Sequence, residues 1–158
     1  MRGCDDVFYG AVDTRAWIND RSTLFGTNVD ALRTVLDVAG EFDLRRFVFT
    51  STMATIGRNP ARTVGPDDEF NWDSRATEYV RSRVAAETLV LGRAQLGRVP
   101  AVAMCVSNTY GPGDVAPTPH GSFVAAASLG KLPFSVRVMA TESVGVVDAA
   151  RALILAAD

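Results

Sequence analysis

Short, nearly continuous apolar runs alternate along this chain with stretches whose apolar residues recur every three or four positions. Val7-Phe8-Tyr9-Gly10-Ala11-Val12, the Phe47-Val48-Phe49 centre of Leu44 to Thr52, and Ala101 to Val106 are of the first kind. They have the pattern of strands buried on both faces of a parallel sheet. Phe25, Val29, Leu32 and Leu36 are of the second kind and predict an amphipathic helix that Ser22 can cap and that ends near Gly40. A second helix is predicted from about Tyr79 to Leu96, with Val80, Val84, Leu89 and Leu91 among its apolar members and a stop at Gly97-Arg98-Val99-Pro100. Beyond it the pattern weakens. A helix from Ser122 to Leu129, short strands at Phe134 to Met139 and Glu142 to Val147, and a last helix from Ala149 to Ala157 capped by Asp148 complete the reading.

Strand and helix alternating, with connections long enough for crossovers, predict a doubly wound parallel α/β sheet. At 158 residues the chain reads as a single domain, residues 1–158. A 47% hydrophobic share is ample for a core, and a net charge of -2 gives no electrostatic case for nucleic acid. His120 is the only histidine, which excludes a multi-histidine metal site. Cys4 and Cys105 are isolated from each other in unlike settings, so neither a disulfide framework nor metal-ligand spacing follows. No apolar run approaches the roughly 18 residues that cross a bilayer, and no signal peptide is evident, so the expected compartment is the cytoplasm.

Two stretches carry candidate chemistry. In Tyr79-Val80-Arg81-Ser82-Arg83 the four-residue spacing puts a phenol and a guanidinium on one helix face. A cation beside a phenol favours phenolate and draws its pKa down from about 10, the tuning a general acid/base needs. The same spacing is also common on helices with no catalytic role. Thr50-Ser51-Thr52 ends the central strand, at the edge where open α/β sheets bind ligands. Ser and Thr also end strands for purely local reasons. The loop from Ser107 to Gly121, with Tyr110-Gly111-Pro112-Gly113-Asp114 and Pro117-Thr118-Pro119, is long and shaped by glycine and proline, as ligand-contacting loops are.

Taken together, these motifs resemble the extended short-chain dehydrogenase/reductase superfamily, which includes NAD-dependent epimerases and dehydratases, dihydroflavonol reductases and 3β-hydroxysteroid dehydrogenases. Gly3 to Val12 resembles the family's fourth strand, with Tyr9 where a His is usual and Val12 in place of a second Ala; Thr27-Asn28-Val29 matches its helix Asn. Phe47 to Gly57 resembles its strand-end motif, Tyr79-x-x-x-Arg83 followed by Ala86-Glu87 its Y-x-x-x-K and A-E, and Tyr110 to Asp114 its Y-G-P-G-D. The resemblance implies an oxidoreductase using NAD or NADP on a small-molecule carbonyl or hydroxyl substrate. Thr52, Tyr79 and Arg83 would be catalytic, and Ala11, Val12, Thr50, Tyr79, Arg83 and Val106 would bind the cofactor, with no metal. Arg83 stands where the family has lysine; it can supply charge and donors to ribose hydroxyls but cannot readily relay a proton.

The resemblance also implies a partial Rossmann-type sheet. These residues contain neither the glycine-rich βαβ unit that cradles a pyrophosphate nor the C-terminal substrate segment. The expectation is that the strand at Val7 forms an apolar edge, through which copies could associate. Three readings follow: a piece of a longer polypeptide, a short degenerate product, or a non-catalytic, self-associating remnant of the fold. Within the enzyme class, ketone or aldehyde reductase comes first and sugar-nucleotide epimerase or dehydratase second.

Overall fold

A computed structural model describes residues 1–114, 118–132 and 142–158, with the side chain of residue 119 left aside. They fall into two compact units, residues 1–105 with 153–158, and residues 106–152.

The first unit is built on a three-stranded sheet in the order β1-β2-β3, where β1 is Asp6–Tyr9, β2 is Arg46–Thr52 and β3 is Ala101–Val106. β1 and β2 run parallel, with Val7 opposite Phe47 and Tyr9 opposite Phe49. The apolar triplet of β2 explains its central place: Phe47, Val48 and Phe49 are each 0% exposed. Among the described residues β1 lies at the end of the sheet, with Phe8 51% exposed. It stops at Tyr9 rather than Val12. Beyond it the chain is captured by Asn28, whose Oδ1 accepts from the Asp13 amide at 2.7 Å and whose Nδ2 donates to the Asp13 carbonyl at 3.2 Å.

The first predicted helix is present but starts earlier and carries a bulge. α1 (Arg21–Phe25), a π-helical turn (Gly26–Asp30) and α2 (Ala31–Ala39) follow without a break. Its cap is Asp20, not Ser22: the Asp20 carboxylate accepts from the amides of Ser22 and Thr23, taking two donors that the first turn leaves free. α3 (Glu78–Gln95) begins at Thr77, whose hydroxyl accepts from the Val80 amide at 3.3 Å. Leu32 and Leu36 of α2, Ala86 and Val90 of α3, and Phe47 and Phe49 of β2 form one buried cluster with Val99. In the loop before α3, Trp72 stacks at a tilt on Phe70, lies under Arg58 and donates from Nε1 to the Ile56 carbonyl at 3.2 Å.

In the second unit, β4 (Asn108–Tyr110) pairs in parallel with β5 (Ser143–Gly145), α4 (Pro119–Ser128) lies within it and α5 (Val146–Leu155) begins in it. β4 lies inside a stretch predicted as loop. Its partner is more than thirty residues away, and local pattern carries no trace of such a pairing. α4 starts at Pro119 rather than Ser122 because Thr118 caps it, accepting from the Gly121 amide at 3.1 Å, with proline suited to the first turn. Gly111 is required by a close approach: a Cβ there would stand 2.2 Å from Val146 Cγ1. α5 starts at Val146, so Asp148 sits in its first turn instead of capping it. The predicted strand Phe134 to Met139 lies outside the described residues. Among the described residues no helix is long and apolar enough to cross a membrane, and no group of three or more His, Cys, Asp or Glu side chains could hold a metal ion.

Candidate active site

The hydroxyl-rich end of β2 and the first three turns of α3 meet in the first unit. Arg83 is the centre of that meeting. It is only 3% exposed, its Cζ lies 4.9 Å from the centroid of Phe49, and its Nη2 donates to the Thr50 carbonyl at 2.5 Å. Its other terminal nitrogen, Nη1, is buried without a partner among the described residues. A charged donor in that state costs free energy until an acceptor arrives. Burial pulls the guanidinium pKa down, against the opposing pull of Tyr79, Glu87 and Tyr9.

Tyr79 stands one turn earlier on the same face. Its phenol titrates above its ordinary value of 10, because burial outweighs the nearby charge of Arg83. The sequence predicted the opposite sign. The cation does lower the pKa, but the phenol is desolvated as well, and no pattern of residue types reports how much water a side chain loses. Tyr9 shows the same balance at the end of β1, again with burial ahead of Arg83.

Thr52 is half-buried at the strand's end, and its hydroxyl accepts from the Ala54 amide at 3.3 Å, capping the short 3-10 turn Met53–Thr55. Thr50 and Thr52 are two apart on β2 and so share a face. Of the other residues assigned to the cofactor, Ala11 is exposed and Val12 half-buried in the segment after β1, and Val106 is the last residue of β3. Thr50 and Arg83 are thus brought into contact directly, with Tyr79 and Thr52 on the flanking turn of helix and end of strand.

The helix is held in place by buried polar groups. Asn28, 1% exposed in the π-helical turn, donates from Nδ2 to Ser82 Oγ at 2.9 Å, and Ser82 Oγ donates to the Tyr79 carbonyl at 2.7 Å. Asn28 thereby links the segment after β1 to the backbone of Tyr79 itself. Such π-helical turns recur at functional sites, where they re-aim one side chain. The sequence singled out Asn28 but missed Ser82 and the hydroxyl cluster around Glu87. A serine and a glutamate inside a helix have no local signal that separates a buried role from a solvated one. Ser82 and Arg83 are both buried on the inward side of α3, beside Val80, Ala86 and Val90.

The chain belongs to the NAD dependent epimerase/dehydratase family, whose model matches residues 3–158. It is 30% identical over 125 residues to a Synechocystis sp. protein named "Putative dihydroflavonol 4-reductase", an alignment covering 78% of this chain and 36% of that one. Among solved structures, gox2253 superposes with a TM-score of 0.86 at 26% identity, covering 98% of this chain and 47% of that one. A double mutant of DesIV, a dTDP-glucose 4,6-dehydratase from Streptomyces venezuelae with NAD bound, superposes at 0.82 with 20% identity, over 99% of this chain and 49% of that one. The fold is therefore Rossmann-type. The chain spans about a third of the curated relative and about half of each solved one.

Proposed function

We propose that these residues carry the proton-handling corner of an NAD(P)-dependent oxidoreductase acting on a small carbonyl or hydroxyl compound, nearest in kind to the ketone and aldehyde reductases. The observation that carries this reading is the buried guanidinium of Arg83, anchored through Nη2 to Thr50 and left with Nη1 unpartnered, one turn from Tyr79. An orphaned, desolvated donor fits a ribose hydroxyl, an acceptor that can enter without bringing a second charge. Arg83 and Tyr79 would hold the nicotinamide ribose, with the backbone at Thr50 and the Ala11-Val12 segment beside it.

When bound, the nicotinamide supplies hydride exchange. The protein's own groups manage the oxygen that gains or loses charge. Tyr79 gives its proton to that oxygen as it becomes an alkoxide, and the Thr52 hydroxyl donates a hydrogen bond to the same atom. A phenol with an ordinary pKa of about 10 is protonated at neutral pH, so it rests as the donor. Arg83 stabilises the phenolate left behind, and its own high proton affinity keeps it a fixed charge throughout.

The test uses the full-length product of the reading frame that carries these residues, supplied with NADH or NADPH and, in turn, ketones, aldehydes and sugar nucleotides. The expected result is oxidation of the reduced nicotinamide with a ketone or aldehyde. Interconversion of sugar nucleotides with no net nicotinamide turnover would overturn the reductase reading in favour of an epimerase.

A further inference from the structure

Glu87 stands one turn beyond Arg83 and two beyond Tyr79, so the three side chains follow one another along a single face of α3. Neither proton transfer nor ribose binding uses it. Its Oε2 nevertheless gathers donors: it accepts from Ser51 Oγ, from Thr55 Oγ1 at 2.8 Å and from Cys105 Sγ at 3.6 Å. Ser51 and Thr55 are buried, at 5% and 6% exposure, and they bracket Thr52 in sequence.

The consequence for Thr52 is geometric. Thr52 is extended, at φ -139 and ψ 145, so its side chain points to the face opposite that of Ser51. Fixing the Ser51 hydroxyl on α3 therefore fixes the direction of the Thr52 hydroxyl. On the other flank, Thr55 Oγ1 lies 2.7 Å from the Thr52 carbonyl oxygen, so its single proton has two acceptors in reach, that oxygen and Glu87. One carboxylate thus grips the strand end on both sides of Thr52.

We propose that Glu87 is a positioning residue: it ties the end of β2 to the helix that carries Tyr79 and so keeps the Thr52 hydroxyl in register with the phenol. This rests on the roles given to Thr52 and Tyr79 above. Without the carboxylate, Ser51 Oγ loses its acceptor and Thr55 Oγ1 keeps only the Thr52 carbonyl, so that among the described residues the side-chain hydrogen bond from α3 to the strand end that remains is the one from Arg83 to the Thr50 carbonyl. A misplacement of about 1 Å at a reacting group costs on the order of a hundredfold in rate.

The test is a double-mutant cycle in the full-length product, with kcat and KM measured for Glu87→Ala, Thr52→Val and the pair. Glu87→Ala is expected to lower kcat by about ten- to a hundredfold with the cofactor KM unchanged, and to lower it no further in the Thr52→Val background. Glu87→Gln, whose amide oxygen still accepts both hydroxyls, is expected to keep most of the turnover. Wild-type kcat for Glu87→Ala, or an equal loss in both backgrounds, overturns the proposal while leaving the role of Thr52 intact. Full turnover in Thr52→Val overturns the role of Thr52 and this proposal with it. If Glu87→Ala does not fold, Ser51→Ala and Thr55→Val carry the same cycle, each removing one anchor, and a loss that persists without the Thr52 hydroxyl again overturns the proposal.

Discussion

α3 and α4 both begin at a threonine whose hydroxyl accepts an amide three residues on, from Val80 in one case and Gly121 in the other. Past the cap they diverge. α3 turns Val80, Ser82, Arg83, Ala86 and Val90 inward, while Phe123 and Val124 of α4 are 64% and 51% exposed and Leu129, just beyond it, is 67% exposed. The helix with the more apolar surface is therefore the one that buries less, and the helix with buried polar groups is the one at the candidate site. Capping starts a helix. What it does afterwards depends on whether a partner surface matches its polar as well as its apolar groups.

That contrast can be broken from either side. The largest effect is expected beneath α3. Phe47→Ala empties part of the cluster that Ala86 and Val90 share, and should lower unfolding stability in denaturant titration by about 3–5 kcal/mol. A loss near zero would mean that α3 does not depend on the sheet. Next comes Asn28→Ala, which strips the Asp13 amide and Ser82 of their partner and should cost about 1–3 kcal/mol by the same titration. Its selective effect should be faster hydrogen exchange at the start of α3. The smallest change is expected on α4, where Phe123→Ser should leave unfolding stability within about 0.5 kcal/mol. A larger loss would show that this face is covered in solution.

The phenol offers a sharper comparison, because it reports burial and charge at once. Its folded pKa is raised, so the protonated form is favoured by folding. The stability linked to it is fully present below an unfolded pKa of about 10 and is lost as pH rises through the higher folded value. An ultraviolet difference titration of the wild type against Tyr79→Phe should place the ionisation of Tyr79 above that of a free tyrosine. Ionisation below it would mean that Arg83 outweighs burial.

Much of this architecture was legible because it is local. The apolar triplet Phe47-Val48-Phe49 marked the central strand, spacing put Tyr79 and Arg83 on one helix face, and Thr52 was singled out by the family resemblance. What escaped depends on distant partners or on water. β4 exists through its pairing with β5, and the reach of Asn28 to both Asp13 and Ser82 shortens β1 and fixes the start of α3. The grip of Glu87 on Ser51 and Thr55 needs two elements brought together. The direction of the Tyr79 shift was misread for the same reason: the spacing showed the cation, and only the fold shows the desolvation.

On the reading proposed here, Tyr79 donates the proton in nicotinamide-dependent reduction. It is tested most directly by measuring turnover of Tyr79→Phe beside the wild type in the full-length product, at saturating NADH or NADPH and a carbonyl substrate that the wild type reduces. The phenylalanine keeps the ring and removes only the hydroxyl, so at saturating cofactor kcat should fall by about a hundred- to ten-thousandfold. Undiminished kcat in the folded Phe variant would contradict the account and assign the proton to another group.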